Sequence, residues 1–215
     1  ALKFDTGLKI VYKPKSLGLD VAFYEFLSWC NQKNTQHQIL PFKIFQILNR
    51  SDYGWMEYVE SLPCENKTDA KHFYQRSGML LCLLHILETT DCHYENIIAN
   101  GEHPVLVDLE TLLHHKTIPM DASSDADGNH LALQQLEDSV LRTAMLPGWR
   151  LMQSNHLDID MSGLGGTEQE ISSLKFKNIN TDAMDLGYGQ VTLKQNNVPT
   201  VNGTTLSPED YLEDL

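Results

Sequence analysis

The middle of the chain carries an ordered run that leaves few folds open. A long apolar-faced segment is followed by Asp91-Cys92-His93-Tyr94-Glu95-Asn96, then by two short apolar stretches around Asn100-Gly101, then by Asp108-Leu109-Glu110. Across 68–87, the residues Phe73, Leu80, Leu83, Leu84 and Leu87 fall on one side of a helix, and Thr68 or Asp69 stands where a cap is needed. Such a helix has to be buried. Residues 97–99 and 105–107 read as strands, because Asn-Gly between apolar runs is the strongest short hairpin signal.

A helix that brings an Asp and an Asn to a loop, followed by a strand pair ending in an Asp, is how kinase-like folds set a base and two metal ligands beside a phosphate. Phosphoryl transfer needs little covalent help from the protein. It needs one carboxylate facing the attacking hydroxyl, and oxygen ligands holding Mg²⁺ against the phosphate oxygens. Asp91 is the candidate base, and Asn96 with Asp108 the candidate metal pair. Lys13, at the end of an alternating β-branched strand over 9–13 that Pro14 stops, is the candidate cation for nucleotide phosphates. A lone Asp or Asn beside a turn ordinarily caps a helix or stiffens a loop, so the weight lies on the agreement of spaced elements.

Around this run, Asp20 is placed to cap a helix over 21–29 in which Val21, Tyr24, Leu27 and Cys30 recur at helical spacing and Glu25 takes part. Residues 42–48 and 55–59 read as strands separated by a turn at 49–54, and Pro63 closes the second. Residues 117–129 are loop-like, 131–146 are helix-compatible, and the remainder is Gly- and Asn-rich without a strong period. Three weaker motifs are set aside. Asp125-x-Asp127-Gly128 has Ser123 and Gln134 where a calcium loop needs its first and last ligands, and Gly163-Leu164-Gly165-Gly166 lacks the Lys-Ser/Thr of a phosphate loop. His114-His115 has no further ligands at metal spacing.

The charge is unevenly spread. Of 16 Lys/Arg and 29 Asp/Glu, residues 1–50 hold seven basic and three acidic, leaving nine against 26 in the rest. That acidic balance argues against a nucleic-acid surface, and a basic first part facing an acidic remainder suits an anion held with metal ions between them. Four cysteines without C-x-x-C spacing point to a reducing cytoplasm, where the triplets Asn66-Lys67-Thr68 and Asn202-Gly203-Thr204 are chance matches to a glycosylation signal. No apolar run approaches the roughly 20 residues of a membrane span, and nothing at the start resembles a signal peptide. Neither end reads as a natural terminus, so the expectation is a segment of a longer polypeptide.

Several stretches together resemble a known family, over almost the whole chain. Residues 9–16 (KIVYKPKS), 53–60 (YGWMEYVE), 90–96 (TDCHYEN), 103–111 (HPVLVDLET) and 180–184 (NTDAM) are similar to the dehydratase domain of class II lanthipeptide synthetases. The resemblance implies an α+β fold of the protein/lipid-kinase type, with a partial small lobe and hinge strand over 1–60 and a helical large lobe with catalytic loop and activation-loop region over 61–215. It implies ATP and Mg²⁺ as cofactors and a ribosomal precursor peptide, leader plus core, as partner. A Ser or Thr is phosphorylated and the phosphate is then eliminated to leave a dehydroamino acid. Carried over by motif, Lys13 contacts phosphate, Asp91, His93 and Asn96 form the catalytic loop, and Asp108 with Glu110 the metal-binding strand end; Glu25, on the helix over 21–29, is a further cofactor-binding candidate. For elimination the family uses an Arg and a Thr six residues later, and the matching positions are Lys175 and Thr181. The family's zinc-dependent cyclase domain, a partner expected in the same parent chain, has no counterpart in these residues. Two other readings fit parts of the pattern: a kinase-like enzyme for a lipid or small alcohol, and a non-catalytic peptide-binding fragment.

Overall fold

In the computed structural model, which describes residues 1–34, 39–113, 135–147, 160–165, 169–193 and 196–215, the β-branched run near the start becomes an inner strand. β1 (Leu2–Lys3), β2 (Lys9–Lys13), β3 (Ile47–Asn49) and β4 (Gly54–Glu57) form an antiparallel sheet in the order β1-β2-β4-β3. The strand expected over 42–48 survives only at its end. Asn31 captures both backbone groups of Phe42, accepting its N–H at 2.8 Å and donating to its carbonyl at 2.8 Å, so this stretch is pinned to a helix instead of a ladder. That helix, α1 (Gly18–Lys33), is longer than expected at both ends. Asp20 is not its cap: it lies inside the first turn and is buried, while the N–H of Leu17 is satisfied by Asn49 Oδ1 at 2.8 Å.

α2 (Lys67–Ile86) is the central helix, and its cap is Asn66, whose side chain accepts from the N–H groups of Thr68 and Asp69 at 2.8 and 3.1 Å. Capping is what occupies the asparagine of the first glycosylation-like triplet. Phe73, Leu80 and Leu84 are buried as the spacing predicts, and they join Phe23, Tyr24 and Leu27 of α1 in one core. β5 (Ile97–Asn100) and β6 (His103–Leu106) add Ile97, Ala99, Val105 and Leu106 to that core as the expected hairpin. Each fully buried Leu, Ile or Phe contributes about 1.5–3 kcal/mol. The Tyr24 hydroxyl donates to the Leu106 carbonyl at 2.8 Å, fastening α1 to β6 beside the site.

The later chain departs from expectation in part. Of the helix-compatible stretch over 131–146, residues 131–134 lie outside the described residues, 135–137 are helical, and 140–143 form a 3-10 turn ended by Ala144 in the left-handed region (φ 59°), shortly before Pro147. The region without a strong period contains the longest strands, β7 (Gln169–Lys177) and β8 (Asp185–Leu193), paired over their full length. A short hairpin follows, β9 (Thr200–Val201) and β10 (Thr204–Thr205), whose turn places Asn202 and Gly203 at φ 51° and 78°. The second triplet is thus an Asn-Gly turn. Among the described residues no helix is long and apolar enough to cross a membrane.

Candidate active site

The loop between α2 and β5 is built from strain and backbone anchoring. Asp91 adopts φ 64°, a conformation that non-glycine residues seldom take, and its side chain is about half exposed. The loop is held from outside: the Cys92 N–H donates to the Thr143 carbonyl at 2.8 Å, the Tyr94 N–H to the Met161 carbonyl at 3.2 Å, and His93 bridges to Ser162. Thr111 also donates its hydroxyl to the Thr90 carbonyl. Asn96 Nδ2 donates to the Asp91 carbonyl at 2.9 Å, which leaves its Oδ1 as the atom offered to a cation. The Glu95 N–H donates to His93 Nδ1 at 3.2 Å, so a neutral imidazole carries its proton on Nε2, 3.5 Å from Asp91 Oδ1 and 3.4 Å from Asn96 Nδ2. Asp91, His93 and Asn96 are therefore one connected cluster. Cys92 takes no part in it, because burial first and the Asp91 charge second push its thiol up to about 12.

The Val107 N–H donates to the Asn96 carbonyl at 3.0 Å, locking the end of β6 against the loop and placing Asp108 beside Asn96. From the other side come the lysines. Lys13 donates to the Val107 carbonyl and stands 3.7 Å from Asp108 Oδ1; Lys15 donates to Asp108 at 2.6 Å and to Glu110 at 2.5 Å. Burial lowers the Lys15 pKa, and the two carboxylate hydrogen bonds outweigh it and raise the pKa overall. The charge asymmetry of the sequence is thus realised as ion pairs: Lys9 with Glu60, Lys13 with Asp108, and Lys15 with Asp108 and Glu110. Lys15 was missed by the sequence reading, although it stands two residues from Lys13.

Glu25 does not join this group. It is exposed on α1, with no hydrogen bond or ion pair among the described residues, because the buried face of the helix is made by Asp20, Phe23, Tyr24 and Leu27. The α1 carboxylate that the lysines feel is Asp20, one turn and more earlier. It is buried, with Oδ1 lacking a hydrogen-bond partner among the described residues, and burial raises its pKa while Lys13 and Lys15 work in the opposite direction.

Between the sheet and this cluster lies a cleft of about 270 Å³. Val11, Met56, Tyr58, Val59, Ile98 and Val107 supply its largely apolar walls, and Lys13 and Asn96 line it together with the carboxylates of Glu57, Glu95 and Asp108. Such a slot suits a flat base, with its phosphates met by the one cation and by a metal ion held on the acidic groups. The slot's apolar residues belong to three separate strands and connections, so spacing in the sequence does not mark them.

One further residue, Asn197, was also missed, and it gives the glycines set aside as a phosphate loop a structural role. Asn197, fully buried, donates to the carbonyls of Gly163 and Gly165 at 2.9 and 2.8 Å, and Gly163 packs directly beneath the Cys92 carbonyl. The glycines of 163–165 thus support the catalytic-loop candidate from below. Lys175 lies on β7 opposite Gly187, and the Thr181 hydroxyl donates to the Asn178 carbonyl at 2.8 Å in the β7–β8 turn. Among the described residues no hydrogen bond or ion pair links either to the Asp91 cluster. His114, His115, Asp125, Asp127 and Gly166 lie outside the described residues.

Comparison with known families gives the class. Residues 1–215 match the family described as "Domain of unknown function (DUF4135)", and the chain belongs to it. The "Lacticin 481/lactococcin biosynthesis protein LcnDR2" of Lactococcus lactis subsp. lactis is 30% identical over 221 residues, covering 96% of this chain. Both matches support the class II lanthipeptide synthetase type, and the chain spans 23% of that relative's length.

Proposed function

We propose that this chain carries the phosphoryl-transfer site of a lanthipeptide dehydratase, with a kinase-like arrangement of a sheet-bearing part over a helical part and ATP held in the cleft between them. The observation that carries the reading is the convergence of Lys13, Asn96 and Asp108 at the polar end of the apolar cleft, with Asp91 one hydrogen bond beyond Asn96. Family membership and the lantibiotic relative favour a peptide hydroxyl as acceptor over a lipid or small alcohol.

The donor set suits a hard divalent cation, since Asn96 offers an amide oxygen and Asp108 and Glu110 offer carboxylates. Mg²⁺ bound there would neutralise phosphate charge. The residues of the chain do the rest. Lys13, fixed by the Val107 carbonyl, presents its ammonium to the nucleotide phosphates. Asp91 accepts the proton of the Ser or Thr hydroxyl as its oxygen bonds to the terminal phosphorus and the bond to the leaving diphosphate breaks. His93, with its proton on Nε2, donates toward Asp91 and orients it. In the second step a base takes the Cα proton, the C–H electron pair forms the Cα=Cβ double bond, and the Cβ–O bond breaks to release phosphate. Lys175 and Thr181 are assigned to stabilising that leaving group, with Lys giving a point charge where the family uses the fork of Arg.

Mass spectrometry of a candidate precursor peptide treated with Mg·ATP and the full-length protein tests both steps. Loss of water is expected from the wild type, no modification from Asp91→Asn with nucleotide binding retained, and accumulated phosphopeptide from Thr181→Ala. Loss of nucleotide binding in Asp91→Asn would contradict its role as base, and a normally dehydrated product from Thr181→Ala would remove that residue from the mechanism.

A further inference from the structure

Lys13 and Lys15 stand two residues apart and hold different posts. Lys13 is committed to a backbone carbonyl and stays 3.7 Å from Asp108, whereas the Lys15 ammonium lies between the two carboxylates assigned to the metal, 2.6 Å from Asp108 Oδ1 and 2.5 Å from Glu110 Oε2. We propose that Lys15 is a resident counter-cation of the divalent-metal seat, holding Asp108 and Glu110 together in the metal-free protein and leaving when a divalent ion takes those oxygens. The inference rests on the metal reading of these residues given above.

The two cations exclude each other. A magnesium ion sits about 2.0–2.1 Å from its ligand oxygens, so an ammonium already bonded to both carboxylates occupies the same space and repels it. The backbone near Lys15 is anchored, because Leu17, two residues on, is fully buried and bonded to Asn49, while the Lys15 side chain keeps about a third of its surface exposed and can swing. A second acceptor lies within electrostatic reach: Asp20, buried, with Oδ1 unpartnered among the described residues. Without Lys15, Asp108 and Glu110 would face each other as like charges; with it, they are held in place before the metal arrives.

The test is binding of Mn²⁺ alone, without nucleotide, to the full-length protein, followed by the electron paramagnetic resonance signal of free Mn²⁺. The site of interest is the one that Asp108→Asn removes. Lys15→Met is expected to bind Mn²⁺ there about tenfold more tightly than wild type, and Lys15→Arg within about twofold of wild type. Lys15→Gln carries the same expectation as Lys15→Met and replaces it if circular dichroism shows the Met variant unfolded. Equal or weaker Mn²⁺ binding in the neutral variants, with the Asp108-dependent site intact, overturns the counter-cation role and leaves the metal reading standing. Absence of any Asp108-dependent Mn²⁺ site in the wild type overturns the metal reading and this proposal with it.

Discussion

Gly163→Ala isolates the support beneath the catalytic-loop candidate. A Cβ at this position would meet the Cys92 carbonyl oxygen at 2.3 Å, Ile97 Cδ1 at 2.5 Å and Met145 Cα at 3.2 Å. The first contact is roughly 1 Å short of ordinary van der Waals distance, and its partner is backbone rather than a flexible side-chain end. The methyl cannot be absorbed by a rotamer change. Overpacking in a filled core costs about 1–3 kcal/mol, and the two close contacts place this substitution at the upper end, about 2–3 kcal/mol. For a domain of this size that lowers Tm by about 4–12 °C. Relief by moving Cys92 shifts Asp91 and His93, its neighbours, by a similar distance, and a misplacement of about 1 Å at a reacting group costs on the order of 100-fold in rate. Differential scanning calorimetry and the phosphotransfer assay, run on the same preparation, read both effects. A variant with wild-type Tm refutes the packing argument; a lowered Tm with unchanged phosphotransfer refutes the link between 163–165 and the loop.

Two more outcomes follow from buried charges. Burial raises the Asp20 carboxyl above its ordinary value of 3.8, so its contribution to stability is present at pH below that value and is lost as pH rises through the folded-state pKa. At neutral pH its charge is a net cost, and Asp20→Asn is expected to stabilise by about 1 kcal/mol and flatten the acid limb of the stability profile; an Asn variant that melts lower sinks this reading. Arg76 is almost fully buried and donates to the Pro41 carbonyl at 2.9 Å and the Glu102 carbonyl at 2.8 Å, with the Glu102 carboxylate 3.2 Å away. Arg76→Ala should cost about 3 kcal/mol in urea unfolding, with Arg76→Lys recovering only part because one ammonium cannot reproduce the planar fork; full recovery by Lys would contradict that account.

The elements that were legible are those whose signal is local. The apolar face of α2 repeats at 3.6 residues, the β5–β6 hairpin is announced by Asn100-Gly101, and β2 alternates before Pro14. The strand expected over 42–48 failed because two hydrogen bonds from Asn31, eleven residues away, claimed Phe42. The β7–β8 ribbon was passed over for a different reason. Leu174 and Phe176 alternate with Lys175 and Lys177, which is a strand pattern, yet the apolar members stay more than half exposed and the surrounding Gly and Asn read as loop.

The sequence by itself determined which residues are brought near one another by local structure: Asp91, His93 and Asn96 sit within six residues, and Asp108 and Glu110 follow one hairpin whose turn returns the chain to Asn96. Only the tertiary structure decided which distant groups complete the site. Lys15 reaches Glu110 across 95 residues, Asp20 replaces Glu25 as the carboxylate near the lysines, and Asn197 secures the glycines under the loop. Those choices depend on which way α1 is turned against β2 and how closely two backbones approach, and both are set by burial and packing summed over the whole core rather than by any local pattern.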